Sequence, residues 1–334
     1  MALIKKIKKF LEIINKINNI DNNINNNTNI INHIENLILN KDQIDKNRFE
    51  SLINLLGQLH VERIKQIKNI SSLKDVEFKI YSQFGVDGII QYLINNIEIP
   101  NKYFIEFGVE NYLESNTRFL LVNNNWEGLI FDGSESNIDF IKNDRLSYRH
   151  YLTSECQFVT KDNINDIIKN KVNIEDIGLV SIDIDGNDYW IWNELVVVKP
   201  RVVICEYNNL FGSEHSITIP YDPNFSVIKA HYSCLFYGSS LPALCNLAEK
   251  KGYDFVGCDS EGVDAFFVRK DISAPFKKYS AIDGFVKGTF RISRNIQGQL
   301  TYLNRQESLN MIKDLTVYDL KTRKLVNIES LNIK

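Results

Sequence analysis

No apolar run in the sequence is long enough to cross a membrane as a helix, and none has the short apolar core and small-residue cleavage site of a secretory leader. C-x-x-C pairs are missing as well: the five cysteines, at 156, 205, 234, 245 and 258, are odd in number and scattered. That spacing excludes a disulfide framework and a zinc ribbon, and fits reduced, mostly buried thiols in a cytoplasmic protein. There is no surplus of positive charge. With 39 Lys and Arg against 42 Asp and Glu the formal net charge is -3, so the basic face that nucleic acid requires is not expected. Nor does a G-x-G-x-x-G run follow the first predicted strand, which speaks against a dinucleotide-dependent oxidoreductase.

What is present is a chain of 334 residues, enough for one large domain and an appendage. Residues 1–70 stand apart, with 13 Asn among the first 50 positions. Ile4, Ile7, Leu11, Ile14 and Ile17 step by three and four, and Ile20, Ile24, Asn27, Ile31, Ile34 and Ile38 continue the seam. A heptad-like seam with one polar core position predicts a helical, coiled-coil arm that joins copies of the chain into a homo-oligomer. A low-complexity leader is the plainer alternative. The basic opening IKKIKKFLEIINKI also has the pattern of a helix lying on an acidic membrane surface.

From residue 78 the pattern becomes an alternation of strands and helices. Strands are predicted at 102–109 (KYFIEFGV), 126–133 (WEGLIFDG), 147–153 (SYRHYLT), 177–185 (IGLVSIDID) and 200–208 (PRVVICEYN), with helices between them. The segment 240–253 reads as a helix that ends at Gly252, and two short strands, DFVGCD and DAFFVRK, flank a tight SEG turn. Alternating βα units imply a parallel sheet, and the closing hairpin implies that the last strand runs antiparallel. Domain 78–271 is therefore α/β, and 272–334 is an irregular, then helical, appendage without a motif.

Ligands of such a sheet sit beyond the carboxyl ends of the strands. Those ends carry Glu106 and Gly108, Asp132, Asp183 and Asp185, and Glu206 with Asn208. Asp132 follows Gly108 by 24 residues, close to the spacing at which an acid at the end of the next strand takes ribose hydroxyls. So many carboxylates at one edge call for a cation, a hydroxyl-rich ligand, or both. His215 and His231 lie in polar loops after the fifth strand and are candidate bases. Tyr189, Trp190 and Trp192 read first as helix packing.

In combination, YSQFGVDGII (81–90), FIEFGVENYLESNTRFLL, GLIFDG, VSIDIDGNDYWIW, PRVVICEYN and GYDFVGCDSEGVDAFFV resemble the class I S-adenosylmethionine-dependent methyltransferases, in particular the FkbM-like group and relatives that act on bacterial surface glycans. The resemblance implies a Rossmann-like sheet of seven strands with the last antiparallel, and S-adenosylmethionine as cofactor. It implies that Gln83, Phe84, Glu106, Gly108, Asn116, Asp132, Phe158 and Asp183 hold the cofactor, and that Asp183, His215 or His231 removes a proton. Asp185, Glu206 and Asn208 match the ligand positions of the metal-assisted O-methyltransferases, whose oxygen donors suit Mg2+ or Mn2+. The implied acceptor is a small molecule, either a sugar or a nucleotide- or sugar-linked precursor of a capsule polysaccharide. A phosphate or phosphoramidate oxygen is an alternative, as is a non-catalytic nucleotide-binding or scaffolding role. One departure stands out: Glu110 and Tyr112 occupy positions where the family has glycines.

Overall fold

The computed structural model describes residues 46–289 and 291–333, which belong to two compact units divided between Lys68 and Asn69. In the first unit a helix spans Lys46–Gln66. The heptad positions at 4–38 lie outside the described residues. No described helix is long and apolar enough to cross a membrane.

The second unit is organised by a seven-stranded sheet made of β1 (Tyr103–Phe107), β2 (Glu127–Asp132), β3 (Leu152–Cys156), β4 (Leu179–Ile182), β5 (Val202–Glu206), β7 (Tyr253–Cys258) and β8 (Asp264–Arg269). Their order is β3-β2-β1-β4-β5-β8-β7. The first five pair in parallel, and β8 is antiparallel to both neighbours. This is the Rossmann-like sheet of seven strands, with one antiparallel member, that the resemblance implies. Every residue of β4 and β5 is buried. That explains why both read as unbroken apolar runs: helices cover the two faces of a parallel sheet. The chain moves outward through β2 and β3, then crosses back to place β4 on the other side of β1. The crevice between the ends of β1 and β4 is the switch point where such sheets bind ligands.

Two expectations change. The third strand is not at 147–153: Leu146–Arg149 forms a short helix and the strand begins at Leu152. Tyr148 and Tyr151 suggested a strand, but both side chains are exposed, and β3 is a half-polar edge strand with a weak apolar signal. The C-terminal segment is more than irregular and helical. Besides the helix Arg305–Ile312 it contributes β9 (Thr316–Asp319) and β10 (Lys324–Asn327), which join β6 (Ile217–Thr218) in a second, three-stranded sheet. Their short, polar strands gave no clear alternation.

Candidate active site

At the carboxyl ends of β1, β2, β4 and β5 opens a cavity of about 1030 Å³. The end of β1 is shaped by close contact. Gly108 has φ 79°, and a Cβ on it would lie 1.6 Å from the carbonyl oxygen of Asp183 at the end of β4. Only a residue without a side chain lets these strand ends meet. Glu106, two residues earlier, is buried and turned back into the protein. Its carboxylate accepts hydrogen bonds from Ser115 Oγ (2.6 Å), the Asn116 amide (2.9 Å), the Thr117 amide (3.1 Å) and the Thr117 hydroxyl. Burial raises its pKa and these donors lower it. Glu106 thus fastens the loop after β1, which sets Asn116 in the cavity wall with its amide 3.1 Å from Ser181 Oγ and 3.4 Å from Asp264 Oδ2.

The glycine-poor loop keeps glycine-like geometry. Glu110 and Tyr112 adopt φ 46° and 62°. Left-handed backbone disfavours side chains by roughly 1–2 kcal/mol per residue. The buried Tyr112 is held there by Thr117 Oγ1 on its hydroxyl (2.9 Å) and by Arg118 Nη1 donating to its carbonyl (2.8 Å). Phe84, Asp185 and Cys234 are left-handed too, and with Glu110 all line the cavity. Non-glycine residues in this region cluster where function fixes the backbone.

On the β2 side, Asp132 accepts the Ser134 amide (2.8 Å) and Asn137 Nδ2 (3.0 Å), both on Oδ1, which leaves Oδ2 for a ligand. Gln83, Phe84 and the exposed ring of Phe158 line the same part. Gln83 is tied through Nε2 to Glu114 (2.9 Å), itself paired with Lys79.

On the β4 and β5 side the carboxylates converge. Asp183, Asp188 and Glu206 bring donor oxygens within 4.8 Å of one another. Asp188 also braces the loop it follows, with its two oxygens accepting the amides of Ile184 (2.8 Å) and Gly186 (3.0 Å). Burial lifts its carboxyl to about 6 against those donors. Burial, then the neighbouring Asp185, Asp264, Asp188 and Glu106, hold Asp183 well above the ordinary carboxylate range. Glu206 is raised by burial, then by Asp183, Asp185, Asp188 and Asp264. One oxygen of Glu206 (Oε2) and one of Asp264 (Oδ1) are buried without a hydrogen-bond partner. The phenol of Tyr237, raised by burial and by Glu206, stands beside the cluster, and Phe225 packs so closely on Gly186 that a Cβ there would meet its ring at 2.2 Å.

Of the sequence-predicted residues, Gln83, Phe84, Glu106, Gly108, Asn116, Asp132, Phe158, Asp183, Asp185 and Glu206 line this one cavity. Asn208 does not join them. Its amide nitrogen donates to the carbonyls of Leu235 and Tyr237 (both 3.0 Å) and its oxygen accepts the Leu210 amide (3.0 Å), so it staples the loop after β5. The carboxylates whose oxygens converge are Asp183, Asp188 and Glu206; Asp185 and Asn208 lie outside that group. Neither His215 nor His231 is in the cavity lining. His231 bonds Ser233 Oγ through Nδ1 (2.7 Å), and the His215 carbonyl accepts from Ser240 Oγ (2.7 Å). Asp264, Phe225 and Arg294 were not singled out from the sequence. Asp264 follows from antiparallel pairing, since its Cα stands opposite that of Glu206. Arg294 lies in a segment with no motif.

No family model and no curated protein matches the chain. Among solved structures it is similar to an O-methyltransferase from Bacillus cereus in complex with S-adenosylhomocysteine, at 13% identity over 71% of this chain and 88% of that one, with a TM-score of 0.33. It is similar to an S-adenosylmethionine-dependent methyltransferase from Clostridium acetobutylicum at 11% identity over 55% and 90% of the two chains (TM-score 0.34). The N-terminal domain of EvdMO1, solved with S-adenosylhomocysteine and D-fucose, is similar at 10% identity over 68% and 97% (TM-score 0.37). At such scores these likenesses decide neither activity nor acceptor; the fold assignment rests on strand order and pairing.

Proposed function

We propose that this chain is an S-adenosylmethionine-dependent O-methyltransferase whose acceptor is a sugar or sugar-linked precursor of a bacterial surface polysaccharide. The observation that carries the reading is one cavity joining two chemistries: Gly108 and Asp132 at the ends of adjacent strands, and the carboxylates of Asp183, Asp185 and Glu206 across the switch point. The first half fits a nucleoside with an amino acid arm, Asp132 Oδ2 accepting from the ribose. The carboxyl groups of Asp132, Asp183, Asp185 and Glu206 in this lining offer oxygen acceptors, which suits a hydroxyl-rich acceptor.

Bound S-adenosylmethionine supplies an electrophilic methyl group on a sulfonium. The protein's share is positioning and proton removal. Glu206 and Asp185 orient the acceptor hydroxyl, and Asp183 takes its proton as the oxygen–methyl bond forms and the sulfur–methyl bond breaks. A carboxylate whose pKa is raised toward the working pH is a stronger base than an ordinary one. Ile184, Phe225 and Val227 give the same cavity an apolar wall.

A second reading is favoured by the spacing of Asp183, Asp188 and Glu206. Three oxygen donors within 4.8 Å, one of them unpartnered, fit Mg2+ or Mn2+, which would lower the acceptor's pKa. The experiment is calorimetry with S-adenosylhomocysteine together with methyl transfer in EDTA. Asp183→Asn is expected to lower turnover about 100-fold or more while leaving cofactor affinity within a few-fold. Absence of S-adenosylhomocysteine binding overturns the assignment. Full turnover in EDTA removes the metal and leaves Asp183 as the base.

A further inference from the structure

The cavity wall supplied by the C-terminal segment is a small built structure. Arg294 and Leu300 pair across an antiparallel bridge, and the Gly298 amide bonds the Asn295 carbonyl (2.8 Å) to close the turn between them. Ser293 is buried and pins the base: its hydroxyl accepts the Leu303 amide (3.0 Å) and bonds Thr301 Oγ1 (2.8 Å). The Arg294 amide is fixed to the Ser233 carbonyl (3.1 Å), within the loop that gives Tyr232 and Cys234 to the cavity. The backbone of Arg294 is thus anchored on both sides. Its side chain makes one bond, from Nη1 to the Gly298 carbonyl (3.1 Å), and leaves the other guanidinium donors for a ligand.

Eight carboxylates line this cavity with one cationic side chain among the described lining residues, and that one is Arg294. It forms a salt bridge with none of the eight. A guanidinium fork on the wall of an acidic cavity, unpaired with the acids around it, matches the geometry of a planar or tetrahedral oxyanion. Beside it, Ile228, Tyr232 and Ile296 are 71%, 40% and 75% exposed and offer apolar surface on the same wall.

Resting on the methyltransferase reading above, we propose that Arg294 holds an anionic group of the acceptor, so that the acceptor is a sugar bearing a phosphate or carboxylate. Its oxyanion sits on the guanidinium, its ring faces Tyr232 and Ile296, and its reactive hydroxyl reaches the Asp183–Glu206 side. As the one cation among the described lining residues, Arg294 fixes orientation as well as choice of acceptor.

The test is calorimetry of the full chain with glucose, glucose 1-phosphate and glucuronate, each with and without S-adenosylhomocysteine. Charge-assisted bonding predicts that at least one anionic probe binds about tenfold or more tightly than glucose, and the arm that gains names the oxyanion. Arg294→Gln should remove that preference, Arg294→Lys should keep part of it, and both should leave S-adenosylhomocysteine affinity within about twofold, since charge on the acceptor wall is far in role from the cofactor subsite. The proposal is overturned if wild-type protein binds neither anion better than glucose, or if Arg294→Gln retains the preference. A protein that prefers the anion through Arg294 but binds no S-adenosylhomocysteine upholds the anion site and refutes the methyltransferase reading.

Discussion

Glu206 and Asp264 face each other in register across β5 and β8, two buried carboxyl groups each with one unpartnered oxygen. Like charges directly opposite on paired strands destabilise a sheet, and both groups are raised well above the ordinary carboxylate range. The folded state therefore holds protons that the unfolded chain releases. Stability falls as pH rises from the unfolded value near 4 through the folded one. Glu206→Gln removes one of the two charges. It is expected to raise the denaturation midpoint at pH 8 more than at pH 5 and to reduce turnover at both. An equal shift at the two pH values would show that Glu206 is ionised in the fold throughout this range and that burial does not raise its carboxyl.

Gly108 is the second test. A methyl group there cannot avoid the Asp183 carbonyl, and φ 79° disfavours any side chain. Overpacking of this kind costs roughly 1–3 kcal/mol. Gly108→Ala should lower the midpoint of unfolding and weaken S-adenosylhomocysteine binding together, because β1 and β4 must move apart at the cofactor subsite. Unchanged binding by titration would place the cofactor elsewhere.

Asp132 should act on binding alone. Its Oδ1 is engaged by Ser134 and Asn137, and Oδ2 remains for ribose hydroxyls. Charge-assisted bonds contribute about 1.5–3 kcal/mol net. Asp132→Ala should weaken S-adenosylhomocysteine by about tenfold or more, while circular dichroism keeps the wild-type signature. Wild-type affinity would remove Asp132 from the cofactor subsite.

Much of the sheet was legible because buried parallel strands read as apolar runs ending in acids: Ile182 before Asp183, Cys205 before Glu206. β3 was displaced because an edge strand with alternating exposure looks like a loop, while two exposed tyrosines imitate a strand. In the site, strand-end residues could be named because topology alone gathers them. Asn208 could not be judged that way. Its residue type suits a ligand, but the choice between an ion and the carbonyls of Leu235 and Tyr237 is made by a loop whose path is not encoded locally. Arg294 was invisible for the same reason, lying beyond the end of β8 at Arg269 in a segment without periodicity.

The segment before β1 provides the last prediction. Asp87, buried in the first turn of the helix Val86–Asn95, accepts on Oδ2 the amides of Ile80 (2.7 Å), Tyr81 (2.7 Å) and Ser82 (2.9 Å), and its own amide donates to Ser82 Oγ (2.7 Å). Those bonds set the turn that delivers Gln83 and Phe84 to the cavity. Burial outweighs the three amides and lifts the carboxyl from 3.8 to about 6. Between those values the folded protein keeps a proton that the unfolded chain has lost, so this group's contribution declines as pH rises from about 4 to about 6, by about 3 kcal/mol in all. Asp87→Asn keeps an acceptor for the amides and removes the titration. Relative to wild type, it should gain stability at pH 7 and lose that gain at pH 4.5 in urea denaturation, with cofactor affinity little changed. Asp87→Ala, which releases the three amides, should instead weaken S-adenosylhomocysteine binding through the loosened Gln83–Phe84 turn. If Asp87→Asn shifts stability equally at both pH values, Asp87 is ionised throughout and burial does not control it. If Asp87→Ala binds the cofactor as wild type does, the turn it braces is no part of the cofactor subsite.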